Sequence, residues 1–167
     1  MIRRCTDDDL AAVQAIINDA ARAYQGVVPA VCWYEPYMPC EELRREVTAG
    51  VAFWGWEEKG KLLGVTGLQT VRDVTLIRHA YVRTAYQGRG IGSALLTTLG
   101  RRVEGRLLVG TWAAASWAIR IYEKHGFRQV PTAEKERLLR TYWTVPERQI
   151  ATSVVLTRQV QDACAGG

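Results

Sequence analysis

The chain has 167 residues, 48% hydrophobic and 23% charged, which suits one domain with a sizeable core and excludes wholesale disorder or a collagen-like repeat. Its net charge of +5 and pI near 9.2 come from arginines spread along the chain, with no basic run interleaved with aromatics, which argues against nucleic-acid binding. No apolar run nears the ~20 residues that span a bilayer, and the first nine residues turn acidic where a signal peptide needs its apolar stretch, so a cytoplasmic protein without a membrane partner is expected.

Residues 2–5 read as a first strand. Thr6, followed by Asp7, Asp8 and Asp9, is a helix N-cap, and Leu10, Val13, Ile16 and Ile17 recur at helical spacing up to about Arg22. Residues 24–39 form an aromatic loop punctuated by Pro29, Pro36 and Pro39, and Glu41–Thr48 a second helix ended by Gly50. Val51–Trp56 and Leu62–Leu68 flank Glu58-Lys59-Gly60-Lys61 as a hairpin, and a longer strand runs from about Asp73 to Arg83. Ile91, Leu95, Leu96, Leu99 and Val103 draw an apolar helical stripe. Arg106–Trp112 is a strand, Ser116–His125 a helix closed by Gly126, Phe127–Val130 a strand start, Ala133–Trp143 a charged helix and Ile150–Leu156 a last strand. The class is α/β with a mixed sheet: antiparallel strands in the N-terminal half, β-α-β-α-β in the C-terminal half. One domain over 1–158 and a frayed tail over 159–167 are expected. Cys5, Cys32, Cys40 and Cys164 show no C-x-x-C pair, and His79 and His125 are the only histidines, so free thiols and no metal site are expected.

The most informative stretch is Val82-Arg83-Thr84-Ala85-Tyr86-Gln87-Gly88-Arg89-Gly90-Ile91-Gly92-Ser93, which leaves a strand and opens a helix. Glycines let backbone N–H groups approach an anion, the helix N-terminus adds unpaired amides and its positive dipole end, and Arg89 adds a charge. The stretch suits a phosphate or pyrophosphate. It is not a Walker A loop, because Ser93-Ala94 stand where Lys-Ser/Thr is needed. Neither register of G-x-G-x-x-G fits, since Ser93 or Leu95 takes the last glycine, and Ala113-Ala114-Ala115 replace the expected downstream acid.

Gln87-Gly88-Arg89-Gly90-Ile91-Gly92 resembles the Q/R-x-x-G-x-G/A signature of the GNAT N-acetyltransferases, after a strand ending in Tyr81-Val82. Ala118-Ile119-Arg120-Ile121-Tyr122-Glu123-Lys124-His125-Gly126-Phe127 resembles that family's second motif, A-x-x-x-Y-x-x-x-G-F. The resemblance implies the GNAT, or acyl-CoA N-acyltransferase, fold and acetyl-CoA as co-substrate in an opening between two splayed strands. Pantetheine would then pair with the backbone at Tyr81 and Val82, and the pyrophosphate would sit on Gln87, Gly88, Arg89, Gly90, Ile91, Gly92 and Ser93. Arg120 and Lys124 would reach the adenosine phosphates or simply form a solvated helix face. Ala115 stands where the second motif often has an asparagine, so one side-chain contact to the coenzyme is missing.

Acyl transfer to an amine needs a neutral amine, a stabilised oxyanion and a leaving thiolate that can be protonated. Tyr122 holds the family's general-acid position, where a phenol serves best as a hydrogen bond that steadies the thiolate. The strand glutamate that many relatives use as base is missing, and His79 is the titratable residue there. Glu35, between Tyr34 and Pro36, is the second base candidate or a clamp for a cationic amine. Trp33, Tyr34 and Tyr37, with Tyr142 and Trp143, are candidates for an acceptor wall. The expected activity is direct transfer in a ternary complex to the primary amine of a small molecule, by a chain that could be a homodimer. Acetylation of a protein N-terminus or lysine, and a non-catalytic acyl-CoA sensor, are the alternatives.

Overall fold

The computed structural model describes residues 1–160. A first strand, β1 (Ile2–Arg4), leads into a turn whose start is fixed by Asp9, the carboxylate of which accepts the Thr6 backbone N–H at 2.7 Å. Helix α1 (Leu10–Ala20) follows and tightens into a 3₁₀ turn over Ala21–Tyr24. After the aromatic loop, α2 spans Cys40–Thr48. Then come β2 (Ala52–Glu58), β3 (Lys61–Val71), β4 (Val74–Val82), α3 (Ile91–Gly100), β5 (Gly105–Trp112) and α4 (Ser116–Lys124). Last are β6 (Arg128–Gln129), α5 (Thr132–Tyr142), α6 (Glu147–Ala151) and β7 (Ser153–Val160).

The strands form one sheet in the order β1-β2-β3-β4-β5-β7-β6. Pairings from β1 to β4 are antiparallel, β4 and β5 run parallel, and β5–β7 and β6–β7 are antiparallel. The expected mixed sheet, antiparallel first and with crossovers later, is therefore present. The last strand starts three residues later than expected, because Pro146 and Glu147 open the short helix α6 through Ala151. Strand β7 runs on to Val160, with Gln159 opposite Arg106 and Val160 opposite Gly105. Residues 161–167 of the expected tail, Cys164 among them, lie outside the described residues. Among the described residues no helix is long and apolar enough to cross a membrane.

Two features of this sheet create the site. Pairing between β4 and β5 ends at Ile77 opposite Val109, although β5 continues with β7 through Trp112. Beyond Ile77, the β5-facing edge of β4 has no strand beside it. On its other side β4 carries a bulge: Val65 pairs with Tyr81 and Gly67 with Arg78, so Thr66 faces both His79 and Ala80. His79 takes up the extra residue in the left-handed region, at φ +56. The bulge re-aims the side chains of 78–81 at the point where the strands part.

Helices α1 and α2 pack Val13, Ile16, Ile17 and Leu43 against Phe53 and Val65. Helix α3 brings Ile91 and Leu95 onto Leu63, and a Cβ at Gly64 would stand 2.9 Å from Ile91, so α3 lies close on β3. Its N-terminal residues lie beside Ala80, Tyr81 and Val82 at the end of β4. Helix α5 closes a further cluster with Leu138 and Leu139 against Leu76, Leu108 and Val155.

Candidate active site

A cavity of about 720 Å³ opens between β4, the N-terminus of α3, and α4. Gly88 and Gly90 shape its floor, both with positive φ (+81 and +78), and a Cβ built at either would meet nothing within 4 Å. Backbone, not side chain, thus lines this end. Among the described residues, no acceptor takes the N–H groups of Gly88, Arg89, Gly90, Ile91, Gly92 or Ser93; the helical ladder begins with Ala94 N–H to Gly90 O at 2.9 Å. Six consecutive donors at a helix N-terminus form an anion cradle. Gln87 braces the loop by donating from Nε2 to Val82 O at 3.1 Å, and the Thr84 N–H donates to Asp19 at the end of α1 at 2.7 Å.

The structure brings Tyr81, Val82, Gln87, Gly88, Gly90, Ile91, Gly92, Ser93 and Tyr122 together around this cavity. Arg89 is directed elsewhere. Its guanidinium lies 3.2 Å from Glu58 and over the Tyr86 ring. Arg120 and Lys124 are exposed on α4 outside the lining, where Ile121 and Trp117 reach the cavity instead. Ala115 is fully buried at the start of α4. The donor set fits a diphosphate and the free edge of β4 fits an amide-bearing chain, the two chemistries that coenzyme A presents.

Tyr122 lies almost buried against Phe127, with ring centroids 5.8 Å apart, and its hydroxyl has no hydrogen-bond partner among the described residues. Burial, with a smaller contribution from Tyr24, pushes its phenol well above the ordinary value, so the hydroxyl keeps its proton.

The second cavity, about 150 Å³, lies where β4 and β5 part, beside α5 and α6. It is lined by Tyr24, Tyr37, Tyr81, Trp112 and Trp143, with Arg78 and His79 adding basic side chains to the three phenols. Tyr24 and Tyr81 line both cavities. Tyr24 is the hub, with Tyr37, Tyr81 and Trp117 rings 6.0, 6.2 and 5.8 Å away. Burial raises all three phenols, Tyr81 most strongly, so each is a neutral donor.

His79 rests between Phe53 and Tyr81, and its Nε2 lies 2.5 Å from Glu46 Oε2. Arg78 Nη2 holds the other oxygen of Glu46 at 2.9 Å. Burial opposes the charge on Glu46, but the hydrogen bond from His79 and the charge and hydrogen bond of Arg78 outweigh it, leaving that carboxyl below its ordinary range. Of the expected acceptor wall, Tyr37 and Trp143 line the cavity and Trp33 backs Tyr37 with centroids 5.7 Å apart. Tyr34 and Glu35 are exposed outside the lining; the Tyr34 hydroxyl accepts from Arg148 at 2.8 Å. Tyr142 instead donates to Asp73 at 2.7 Å. Sequence reasoning missed Tyr24, just past the end of α1, and Glu46, 33 residues from the histidine it meets. For Glu46 the sequence carries no signal, since one acid on a charged helix looks like any other.

Residues 49–129 match the family model described as an acetyltransferase (GNAT) domain. No curated protein matches the sequence. Among solved structures, the ribosomal-protein-alanine N-acetyltransferase of Brucella melitensis is 21% identical, over 96% of this chain and 99% of that one, with a TM-score of 0.66. The PaiA N-acetyltransferase of Thermoplasma acidophilum, in complex with coenzyme A, is 16% identical over 96% and 98%, with a TM-score of 0.69. The N-acetylglutamate synthase of Neisseria gonorrhoeae, complexed with coenzyme A and N-acetyl-glutamate, is 20% identical over 97% of this chain and 35% of that one, with a TM-score of 0.66. The likeness is one of fold.

Proposed function

Residues 49–129 match a GNAT acetyltransferase domain, and from that premise we propose that this chain is an acetyl-CoA-dependent N-acetyltransferase that passes the acetyl group directly to the primary amine of a small molecule held in the smaller cavity. Acetyl-CoA supplies the acetyl group as an activated thioester. The amides of Gly88–Ser93 would hold its pyrophosphate, and the β4 edge at Tyr81 and Val82 its amide-bearing arm. His79 takes the proton the amine must lose. As the C–N bond forms and the C–S bond breaks, the Tyr122 hydroxyl donates a hydrogen bond to the departing sulfur, and the net proton to the thiol comes from solvent or from the attacking nitrogen as it becomes the amide.

The observation that carries this reading is that Tyr24 and Tyr81 line both cavities, so an amine in one lies next to a thioester in the other. No separate nucleophile is needed. The small cavity has aromatic walls and no carboxylate in its lining, which favours a single amine on a compact body over a polycation. Fold alone does not choose the acceptor. The neighbours above are named for a ribosomal-protein alanine in one case and for N-acetylglutamate in another.

An acetyl-CoA turnover screen with free-thiol detection tests the proposal across amino acids, polyamines, aminoglycosides and peptides. Compact monoamines should be the best acceptors. Turnover confined to peptides would replace this acceptor with a protein N-terminus or lysine, and coenzyme binding without turnover of any amine would leave a sensor.

A further inference from the structure

The bulge in β4 turns His79 towards a partner on a distant helix, and that partner has no place in the chemistry described so far. Glu46 sits on α2 with its two carboxylate oxygens divided between neighbours. Oε1 accepts from Arg78 Nη2 at 2.9 Å, and Oε2 lies 2.5 Å from His79 Nε2. Arg78 is itself anchored, donating from Nη1 to Gln69 at 2.9 Å, while Gln69 donates to the Ala49 carbonyl just past α2 at 3.1 Å. Glu46 is therefore fixed from both sides and shielded with its partner, the two side chains being 16% and 14% exposed.

We propose that Glu46 is the positioning residue of the reaction: its carboxylate takes the Nε2–H of neutral His79, fixes the ring in that tautomer and leaves Nδ1 as the basic nitrogen for the acceptor amine. This rests on the reading of His79 as the base. A carboxylate can only accept, so the neutral ring must carry its hydrogen on Nε2. Nδ1 has no partner among the described residues, and His79 lines the acceptor cavity. When Nδ1 receives the amine proton, the imidazolium faces a carboxylate already oriented towards it, as a buried acid supports a histidine base in other acyl transfers. The other groups packed around His79 do not compete for this role. Arg78 is a cation bound to the same Glu46, Tyr81, Tyr37 and Tyr24 are neutral phenols, and Phe53 stacks on the ring.

The ligand-free protein offers a direct readout, because it has two histidines. His125 Nδ1 lies 2.8 Å from the Ile121 carbonyl and must donate to it, so the neutral ring of His125 carries its hydrogen on Nδ1. Long-range ¹H–¹⁵N correlation of the imidazole nitrogens, with rings neutral and assigned through His125→Gln, should show opposite tautomers for the two. Glu46→Gln should dissolve the single pattern of His79 and lower kcat about tenfold or more, with KM for acetyl-CoA and acceptor within about twofold. Glu46→Asp should recover part of kcat. An Nδ1–H pattern for His79 in the unmutated protein, or a Glu46→Gln kcat within about twofold of it, overturns the assignment. The two readings fail separately. If His79→Ala retains kcat, the base itself is misassigned; if His79→Ala loses kcat and Glu46→Gln does not, only the positioning role falls.

Discussion

The Tyr122 hydroxyl stands in the wall of the larger cavity without a partner among the described residues, on a ring held by Phe127. A hydroxyl that faces a cavity and is not engaged by another side chain is free to donate to a group that arrives with the reaction. Tyr122→Phe keeps the ring and its packing, and should lower kcat about tenfold or more while coenzyme affinity stays nearly constant. Steady-state kinetics decide this: a kcat within about twofold of the parent would remove Tyr122 from the chemistry. Tyr122 was legible from the sequence because a local motif carries it, with Gly126 and Phe127 at fixed offsets. Tyr24 and Glu46 were not. Their roles arise from contacts between elements far apart in the chain, and local residue pattern encodes neither the 3₁₀ turn that aims Tyr24 nor the bulge that brings His79 to Glu46. Glu35 shows the converse, a residue made conspicuous by its aromatic neighbours yet exposed outside the cavity lining.

At the level of elements, the entry to α3 is where sequence and geometry agree best, because glycine spacing is itself a backbone instruction. Gly90 is the left-handed N-cap of α3 and lines the cavity. Gly90→Val places a branched side chain at φ +78, costing about 1–2 kcal/mol in a conformation that L residues disfavour, and it crowds the approach to the free amides. The space around this position is open, so the variant should fold with a modestly lower Tm. Acetyl-CoA should raise the Tm of the parent protein by mass action and leave that of Gly90→Val unmoved. An undiminished shift in the variant would take the pyrophosphate off this loop. The final strand teaches the opposite lesson. Ile150 is buried at 4% exposure within α6, and its neighbours alternate in polarity as a strand would, so periodicity over so few residues misleads; Pro146 at the helix start was the available sign. The parting of β4 from β5 was expected from family resemblance alone, since no property of either strand's own residues announces where pairing stops.

Over the whole molecule, 22 basic residues face 17 acidic ones, so the fold depends on carboxylates that keep their charge. Asp9 is the clearest case. Two hydrogen bonds from Arg3, at 2.8 and 2.9 Å, and one from the Thr6 N–H hold its carboxyl at about 2, and Arg3 also bonds Glu57 on β2 at 2.7 Å. This cluster ties β1, β2 and the start of α1 together. Glu46 is likewise lowered, by His79 and Arg78 against the cost of burial. A carboxyl whose folded value lies below its unfolded value, near ~4 for both residue types, adds stability that is complete above the unfolded value. That stability is lost as pH falls through the folded value. Tm should therefore hold above pH ~5 and fall between about pH 4 and 2, where the basic residues become unopposed and repel one another. Asp9→Asn should have a lower Tm at neutral pH and a shallower acid decline, because the difference in proton uptake at that site is gone. Thermal melts of both proteins from pH 2 to 7 check this. Parallel curves through the acid range would mean that the Arg3–Asp9 pair does not couple protonation to folding, and that the acid limit is set elsewhere in the sheet.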